Sequence, residues 1–237
     1  MAAASDPVTT TISDGVAVVR FDDGKANVLS HTAIEALDAA LDRATADADA
    51  VCIVGRDGRL CAGFDLSVMS AGPEAARDLV ARGADLLLRI YVHPQPVAVA
   101  ATGHALAAGA LLLLACDVRI GADVPAKIGL NELAIGMPLP MFALELAQAR
   151  LERTELVRST LGAEIHDPHR AVEVGYLDRV VPAAECEPAA LAEARRLGDY
   201  SSSAYRRTKQ VMRAGSAARI RAGNAADLEH FTVESSA

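Results

Sequence analysis

The stretch that decides the fold is residues 104–117, which read HALAAGALLLLACD. Small residues and one glycine lead into four consecutive leucines, and no charged residue lies between His104 and Asp117. The surrounding apolar run, residues 97–115, is long enough to suggest a membrane-spanning helix. Its alanine content, the Gly103-His104 pair in its middle and the lack of aromatic or basic anchors favour a buried strand, a turn and a core helix instead. We therefore expect no membrane span here.

The composition of the whole chain suits a single domain with a substantial core. Of the 237 residues, 51% are hydrophobic, whereas aromatic residues make up 3% and tryptophan is absent. Alanine, valine and leucine must therefore fill the interior. The net charge of -8 and the absence of a Lys/Arg cluster exclude a general nucleic-acid binder. We expect neither nucleic acid nor a membrane among the partners of this protein.

The cysteines give no sign of a metal site. No pair has C-x-x-C spacing, and no histidine stands near them at the spacing of zinc ligands. We interpret them as reduced thiols in a cytoplasmic protein. The first residues, MAAASDPVTTTI, lack the basic start and apolar stretch of a signal peptide. The cysteines are Cys52, Cys61, Cys116 and Cys186.

The order of the predicted elements favours an α/β fold. A hairpin is expected around Asp14-Gly15, and Ser30 is expected to cap a helix that runs to about Ala46. Strand, turn and helix recur along the chain, which indicates parallel strands joined by crossovers. Further strands are predicted at 50–54, 97–101 and 118–120, a loop at 58–63, a turn at 102–106, and helices at 73–91, 107–115, 142–150, 154–161, 168–174, 188–199 and 203–214.

Two short stretches share one design, in which small residues stand where a strand or loop enters a helix. They are CAGFDL at 61–66 and AAGA at 107–110. Small residues let another group approach the backbone closely, and a helix start offers unpaired N–H groups with a partial positive charge. Two such turns facing each other would hold an oxygen that becomes negative during a reaction. Taken alone, each turn is better interpreted as a tight strand–helix junction, so only the pair together indicates such a site.

Several common catalytic motifs are absent from the sequence. There is no G-x-G-x-x-G and no G-x-x-x-x-G-K-[ST], so the usual Rossmann or P-loop nucleotide site is unsupported. No G-x-S-x-G nucleophile elbow supports a serine hydrolase.

Five segments extend this pattern along the chain. They are KANVL at 25–29, CAGFDLSVM at 61–69, GHALAAGALLLLACDVRI at 103–120, IGLNELAIGMPLP at 128–140 and AVEVGYLDRVVP at 171–182. In this order they resemble the crotonase superfamily, the enoyl-CoA hydratase/isomerase family. The similarity runs through nearly the whole chain, from about Val8 to Ala214, and five motifs in sequence are far more specific than one.

The resemblance implies an α/β fold of the crotonase (ClpP-like) type, a spiral of ββα units with a helical C-terminal region. We assign residues 1–187 to the spiral core and residues 188–237 to a C-terminal helical region that serves oligomerisation, within one functional unit. Residues from Arg219 onward are expected to fray or to pack on a neighbouring subunit. The resemblance also implies a homotrimer or a hexamer built from two trimers.

The resemblance further implies an acyl-CoA thioester substrate whose carbonyl oxygen binds two backbone N–H groups. By position in the motifs these donors are Phe64 and Ala108. Ala108 stands where the family more often has glycine, but it still supplies an N–H if the backbone angles suit a side chain. Asp65 and Asp117 match positions that we interpret as structural. The residues expected at the CoA and acyl site are Lys25, Ala26, Val28, Ala62, Leu66 and Leu111.

One carboxylate is expected to carry the chemistry. Hydratases of the family have a glutamate at the position of Leu111, whereas the family's second glutamate is present here as Glu132. Adding water usually uses two acid/base groups, each worth ~10²–10⁴-fold, so leucine should weaken hydration. A single base suffices to move a double bond. The predicted activity is isomerisation of 3-enoyl-CoA to 2-enoyl-CoA, in a dry pocket whose burial raises the pKa of Glu132.

Other functions stay open on the sequence alone. One is an enoyl-CoA hydratase-like lyase of fatty-acid oxidation, in which Glu132 works with water or another acid. Others are thioester hydrolysis, C–C cleavage and a protein that binds acyl-CoA without catalysis. His104 and Glu145 lie near the motifs, and each is either a site residue or a structural one. No metal or redox cofactor is expected, because proton transfer next to a thioester needs neither.

Overall fold

The structure is a computed structural model that describes residues 6–231. Strands and helices alternate through most of the chain. In the first half they are β1 (Val8–Ser13), β2 (Val16–Phe21), β3 (Val28–Leu29), α1 (His31–Asp47), β4 (Ala50–Val54), β5 (Gly58–Cys61), β6 (Gly63–Phe64), α2 (Leu66–Met69), α3 (Pro73–Tyr91), β7 (Val97–Ala101), β8 (Gly103–Leu106) and α4 (Ala108–Ala115). In the second half they are β9 (Val118–Asp123), β10 (Ile128–Gly129), α5 (Met141–Arg150), α6 (Leu156–Thr160), α7 (Pro168–Val174), β11 (Arg179–Pro182), α8 (Cys186–Gly198) and α9 (Ser202–Glu229), with 3₁₀ turns at Leu133–Ile135 and Ala183–Glu185.

The largest sheet has its strands in the order β1-β2-β4-β7-β9-β11. β1 and β2 are antiparallel and form the predicted hairpin, whose turn residues Asp14 and Gly15 have φ values of 50° and 73°. From β2 onward each strand is parallel to its neighbour. Every residue of β4 and β7 is buried, so both faces of these central strands are covered, as is usual for a parallel sheet.

Two smaller sheets accompany the large one. The first holds β10, β8 and β5 in parallel register, and the second pairs β3 with β6. The chain therefore repeats a unit of two strands and a helix, first as β2–β3–α1, then as β4–β5–α3 with β6 and α2 inserted, and then as β7–β8–α4. This repeat agrees with the predicted spiral of ββα units.

Local sequence signals set several helix starts. Ser30 caps α1 as predicted, because its Oγ accepts a hydrogen bond from Ala33 N at 3.2 Å. Pro73 is the first residue of α3, where its missing N–H has no cost. Asp167 caps α7 by accepting a hydrogen bond from Arg170 N at 2.9 Å. Such caps satisfy N–H groups that the first helical turn leaves without partners.

The stretch 104–117 lies in the centre of the core. It supplies most of β8 and the whole of α4, all of whose residues are buried. α4 packs against α3, α5 and β8. Burial on all sides explains why this helix is apolar around its whole circumference. Within residues 6–231, no helix combines the length and the apolar character that a membrane crossing would need.

Two segments that were predicted to be irregular contain strands. Residues 58–63 contain β5 and the start of β6, and residues 102–106 contain β8. These strands are short and pair at long range, β5 with β8 in parallel, so local sequence carries little signal for them. The helix predicted at 154–161 is also shorter, and the one predicted at 188–199 begins earlier, at Cys186.

Two alternatives were expected for residues from Arg219 onward, and packing on a neighbouring subunit stays a prediction. Residues 232–237 lie outside the described residues, but residues 219–229 do not fray. They continue α9 to Glu229, and α9 packs against α3 and α5 of the same chain. Asp117 anchors this helix, because its carboxylate lies 2.6 Å from Lys209 Nζ and 2.7 Å from Arg213 Nη2. All three side chains are buried. Asp117 is thus a structural residue, as its place in the sequence suggested.

The predicted boundary between residues 187 and 188 falls inside α8. α8 packs on β4, β7 and β9 of the large sheet, so this helix is part of the same body as the strands. The assignment of residues 188–237 to oligomerisation stays a prediction, and residues 232–237 of that range lie outside the described residues.

Candidate active site

An apolar cavity of about 200 Å³ lies where the two small-residue turns meet the segment between β10 and α5. The first turn contributes Phe64 and Leu66 to its wall, and the second contributes Ala107 and Leu111. A small apolar chamber with few polar groups is typical of a site for a small molecule. The other wall residues that bear on function are Asn131, Glu132, Phe142 and Phe231.

Backbone hydrogen bonds hold the first turn in place. Ala62 N donates to Asn27 O at 3.1 Å, and Asp65 N donates to Leu29 O at 3.2 Å. Both bonds tie the turn to the segment that contains β3. Phe64 lies between these two anchors, so the position of its main chain is fixed.

Two glycines make room for the first turn. Gly63 has φ 108°, a value that L side chains rarely adopt, so the chain can bend there only with glycine. Gly83 in α3 faces the Phe64 ring, and a Cβ at position 83 would overlap the ring edge. The Phe64 ring therefore packs directly on α3, while Phe64 also lines the cavity.

Ala107, which was predicted only as part of the second turn and not as a site residue, has the unusual backbone of that turn. Its φ of 51° and ψ of -122° belong to a region that favours glycine. Its N–H donates to Gly129 O at 3.0 Å, and its carbonyl oxygen accepts hydrogen bonds from Ala110 N and Leu111 N. Ala108 is the first residue of α4 and does not have positive φ, so its side chain suits its backbone. The strain expected from alanine in this motif thus falls on Ala107.

The two turns are in direct contact. A Cβ added at Gly63 would lie 3.1 Å from Ala107 Cβ and 3.9 Å from Ala108 N. A Cβ added at Gly109 would overlap the carbonyl oxygen of Cys61. Because Ala108 begins α4, helix geometry leaves its N–H without an intrahelical acceptor. The first turn and the Ala108 N–H are therefore neighbours.

Glu132 places a buried carboxyl in the cavity wall. It stands at the start of the 3₁₀ turn Leu133–Ile135, and its carbonyl oxygen accepts hydrogen bonds from Ile135 N and Met137 N, both at 3.0 Å. The residue is 8% exposed, and its Oε2 has no hydrogen-bond partner within residues 6–231. Burial raises the pKa of this carboxyl to about 7. Such a group can accept and return a proton near neutral pH.

The surroundings of Glu132 in the cavity wall are uncharged. Leu111, at 1% exposure, presents a hydrocarbon surface. Among the described residues that line the cavity, Glu132 is the only ionisable one. Asn131 Oδ1 is also buried and has no hydrogen-bond partner in the described part of the chain. Asn131 was not among the predicted site residues, because the motif alone does not reveal which of its polar atoms is buried.

The predicted site residues divide into two groups. Each residue of the first group lines the cavity, whereas those of the second group lie outside its wall. The first group is Ala62, Phe64, Leu66, Leu111 and Glu132, and the second is Lys25, Ala26, Val28 and Ala108.

The loop that was predicted to contact CoA lies beside the first turn. The Asp23 carboxylate accepts hydrogen bonds from Lys25 N at 2.7 Å, Asn27 N at 2.9 Å and Val28 N at 3.0 Å. Asn27 is fully buried and has φ 55°. Since its carbonyl oxygen accepts the Ala62 N–H, the loop is fixed against the turn without entering the cavity.

His104 and Glu145 both have partners outside the cavity. His104 Nδ1 accepts a hydrogen bond from Lys127 N at 2.9 Å. The Glu145 carboxylate accepts two hydrogen bonds from Arg219, at 2.7 and 2.8 Å. Neither residue lines the cavity, so their contacts are structural.

Known proteins are similar to this chain in sequence and in fold. The profile of the enoyl-CoA hydratase/isomerase family matches residues 11–236. An enoyl-CoA hydratase/isomerase family protein from Pseudomonas syringae has a crystal structure with 42% sequence identity and a TM-score of 0.94, covering 97% of this chain and 100% of that one.

Two further relatives carry names of different reactions. The structure of human mitochondrial delta3-delta2-enoyl-CoA isomerase has 28% identity and a TM-score of 0.90, covering 94% of this chain and 89% of that one. A probable enoyl-CoA hydratase from Rhodobacter capsulatus is 33% identical, over 86% of this chain and 80% of its own length. The structural matches confirm the predicted crotonase fold. The chain belongs to the enoyl-CoA hydratase/isomerase family.

Proposed function

We propose that this protein converts 3-enoyl-CoA to 2-enoyl-CoA, with Glu132 as the proton shuttle. The observation that carries the proposal is that the cavity wall has one ionisable side chain among the described residues, and its Oε2 is unpartnered. A double-bond shift needs one group that removes a proton and later returns it. Glu132 has the burial, the raised pKa and the free oxygen for that task.

The proposed reaction begins with the thioester carbonyl oxygen between the N–H groups of Phe64 and Ala108. Glu132 takes a proton from carbon 2, and the electron pair of that C–H bond moves toward the carbonyl oxygen to give a dienolate. The two N–H groups stabilise the negative oxygen. The protonated Glu132 then donates the proton to carbon 4, and the double bond lies between carbons 2 and 3. Substrate and product have the same atoms, and the enzyme ends as it began.

The apolar wall supports this chemistry in two ways. Leu111 offers no group that could activate a water molecule, and hydrocarbon surroundings disfavour water in the cavity. The same surroundings raise the pKa of Glu132 to about 7, which makes the carboxylate a stronger base than an exposed one.

One observation favours a second candidate, an enoyl-CoA hydratase-like lyase. Asn131 Oδ1 is buried beside Glu132 and is unpartnered within the described chain, so it is available to accept a hydrogen bond from a water molecule. Glu132 and Asn131 together would orient that water for addition to a 2-enoyl-CoA. The reaction would still lack the second carboxyl expected of an efficient hydratase, so we rank it below isomerisation.

The experiment that tests the proposal assays 3-enoyl-CoA and 2-enoyl-CoA in parallel. The wild-type protein should isomerise 3-enoyl-CoA faster than it hydrates 2-enoyl-CoA. Glu132→Gln should lower isomerase kcat by about 10²–10⁴-fold, because it removes the shuttle and keeps the shape. Its Kd for a saturated acyl-CoA should stay close to the wild-type value, because an amide fills the same space.

Glu152→Gln is the matched control, since Glu152 is exposed and does not line the cavity. It should leave both rates unchanged. Hydration that exceeds isomerisation in the wild-type protein would favour the lyase. Tight binding of acyl-CoA without either reaction would identify a binding protein instead.

The oligomeric state, location and cofactor requirement complete the proposal. We propose a homotrimer or hexamer, on the strength of the family resemblance. Light scattering coupled to size-exclusion chromatography would measure the molar mass of the oligomer. A cytoplasmic location is supported by four buried cysteines that are free thiols. No metal or redox cofactor enters the proposed steps, and CoA enters as part of the substrate. Activity that survives extensive dialysis against a chelator would agree with that view.

A further inference from the structure

The turn that follows α9 places Phe231 in the cavity wall. Phe231 is 5% exposed, and its N–H donates to Leu228 O at 3.1 Å. Leu228 is also 5% exposed and belongs to the main core cluster. The ring is therefore held in one place by the end of a packed helix. Among the described lining residues, Phe231 is the only one that follows Phe142 in the chain.

Two contacts join the end of α9 to the cavity wall formed by α5. Asp227 Oδ2 accepts a hydrogen bond from Met141 N at 2.7 Å. α5 has no side-chain cap of its own, since Pro140 stands at its N-cap, so Asp227 satisfies one of its free N–H groups. Gly223, one turn earlier in α9, lies against the Met141 side chain, where a Cβ would overlap the sulfur.

A bidentate ion pair extends this attachment along both helices. Arg219 Nε and Nη2 donate to the two carboxylate oxygens of Glu145 at 2.7 and 2.8 Å. The Glu145 side chain is 12% exposed, and the fork geometry fixes the helices along their length and in rotation. Position and orientation of the Phe231 ring thus follow from contacts within one chain.

The size of the cavity limits the length of the acyl chain that can bind within this wall. Its volume of about 200 Å³ corresponds to roughly seven water molecules at their share of liquid volume. A hydrocarbon chain of about seven carbons would fill such a space, if each methylene takes roughly the volume of one water. A longer chain must displace part of the wall. Phe231 is a large side chain of this wall, and it follows α9, which the Asp227–Met141 hydrogen bond attaches to α5.

We infer that Phe231, held by the Asp227–Met141 hydrogen bond, sets the upper limit of acyl-chain length for this protein. The inference rests on the proposed function only in taking the cavity as the acyl site. Phe231 selects the chain by occupying space, and Asp227 is a positioning residue that acts through α5 and the end of α9. The preferred ligands are acyl-CoA thioesters of short to medium chain.

Binding of saturated acyl-CoA tests the inference without any turnover. Isothermal titration would give Kd values for hexanoyl-CoA and dodecanoyl-CoA on the wild-type protein, Phe231→Ala, Phe231→Leu and Phe231→Trp. The wild-type protein should prefer hexanoyl-CoA. Phe231→Ala should improve the relative affinity for dodecanoyl-CoA by about tenfold or more, the effect of burying about two more methylenes. Phe231→Leu should have a smaller effect in the same direction, and Phe231→Trp the opposite effect.

Matched variants separate selection from general loosening. Met212→Ala, on the exposed side of α9, should leave the ratio of the two Kd values unchanged. Asp227→Ala should shift the ratio toward dodecanoyl-CoA, as Phe231→Ala does, and Asp227→Asn should rescue it in part because its side-chain oxygen still accepts the Met141 N–H. If the ratio of the two Kd values in folded Phe231→Leu and Phe231→Trp stays within about twofold of the wild-type ratio, the inference is overturned. Either change of side-chain volume should alter binding in a closely packed wall.

Failure of the proposed reaction is distinguishable from failure of this inference. If the wild-type protein shows the expected chain-length ratio but does not isomerise 3-enoyl-CoA, the chemistry assigned to Glu132 is wrong and the role of Phe231 stands. If the wild-type protein isomerises 3-enoyl-CoA but substitutions at position 231 leave the ratio of Kd values unchanged, the role of Phe231 is wrong and the chemistry assigned to Glu132 stands. If the wild-type protein binds neither thioester, the cavity is not an acyl site and both are wrong.

Discussion

Gly109 in α4 packs so closely on Cys61 that a Cβ at position 109 would overlap the Cys61 carbonyl oxygen. This contact joins the start of α4 to the turn that contains Phe64. Because Ala108 immediately precedes Gly109, the contact also sets where the Ala108 N–H lies. The proposed pair of N–H donors therefore depends on a glycine that does not itself line the cavity.

Gly109→Ala should separate the two turns. The added Cβ meets backbone atoms, which cannot move aside as a flexible side chain can. Overpacking in a core costs ~1–3 kcal/mol, and we expect a loss of that size in the free energy of unfolding. Misplacing one N–H donor should lower kcat by about 10²–10³-fold. Urea denaturation followed by circular dichroism and a steady-state assay measure the two effects.

Gly215→Ala is the matched control for this change. Gly215 lies within α9, and a Cβ there would meet only Arg219 Nη1, at 3.4 Å. Alanine should raise the free energy of unfolding by up to ~1 kcal/mol through helix propensity and leave kcat unaltered. A Gly109→Ala protein with wild-type kcat would show that the contact does not position a donor.

Ala107→Gly should stabilise the protein. The φ of 51° at Ala107 is unfavourable for a residue with a Cβ, and such strain costs ~1–3 kcal/mol. Glycine relieves it, although the unfolded chain gains entropy, so the net gain should be about 1 kcal/mol. Ala108→Gly is the comparison, because Ala108 begins a helix without positive φ and should lose ~0.5–1 kcal/mol. Equal losses in both variants, measured by urea denaturation, would refute the strain at position 107.

Glu132→Gln should stabilise the protein at alkaline pH and much less at acid pH. Burial raises the pKa of Glu132 from 4.5 to about 7, so the folded state holds this proton more tightly than the unfolded state does. The associated stability is present in full below pH 4.5 and is lost as the pH rises through about 7, a loss of ~3 kcal/mol. Glutamine has no charge to bury and avoids that loss.

The measurement is the difference in unfolding free energy between Glu132→Gln and the wild-type protein at pH 5 and at pH 8. The difference should favour the variant by about 2–3 kcal/mol more at pH 8 than at pH 5. Glu152→Gln, an exposed site, should give the same small difference at both pH values. A pH-independent result for Glu132→Gln would mean that its carboxyl titrates as in the unfolded chain.

Leu111→Glu should move the balance of reactions toward hydration. The new carboxyl would stand in the cavity wall near Glu132 and could act on water as a second acid/base group. Two buried carboxyls also repel, which should raise the apparent pKa of the pair further and move the pH–rate profile to higher pH. Leu111→Gln, of nearly equal size, separates the charge from the shape. No rise in the ratio of hydration to isomerisation would show that Leu111 does not determine the reaction.

The sequence predicted the parts of the fold that local signals specify. Asp14-Gly15 and Ser30 have turn and cap chemistry that is visible in a few neighbouring letters, and both act as expected. β8 was not predicted, because Gly103–Leu106 pairs with strands that are distant in the chain. The residues of β8 are as compatible with a turn as with a strand. The long-range pairing, not propensity, decides such a segment.

The residues of the candidate site likewise divide into those that local motifs predict and those that depend on tertiary packing. Phe64, Leu111 and Glu132 lie inside ordered motifs, and the structure brings all three to one cavity. Phe231 could not be predicted as a cavity residue from the sequence, because its position depends on the packing of α9. Asp117 anchors that helix through contacts that no local sequence pattern reveals. Positions in a motif give the reacting group, whereas the wall that limits the ligand comes from tertiary packing.

The proton shuttle is tested most directly by following deuterium from carbon 2 of the substrate. When both hydrogens on carbon 2 of a 3-enoyl-CoA are replaced by deuterium, the wild-type protein should form product that carries part of the label at carbon 4, and Glu132→Gln should not. Product that forms at an undiminished rate in Glu132→Gln, or that never carries deuterium at carbon 4, would contradict the proposed proton shuttle.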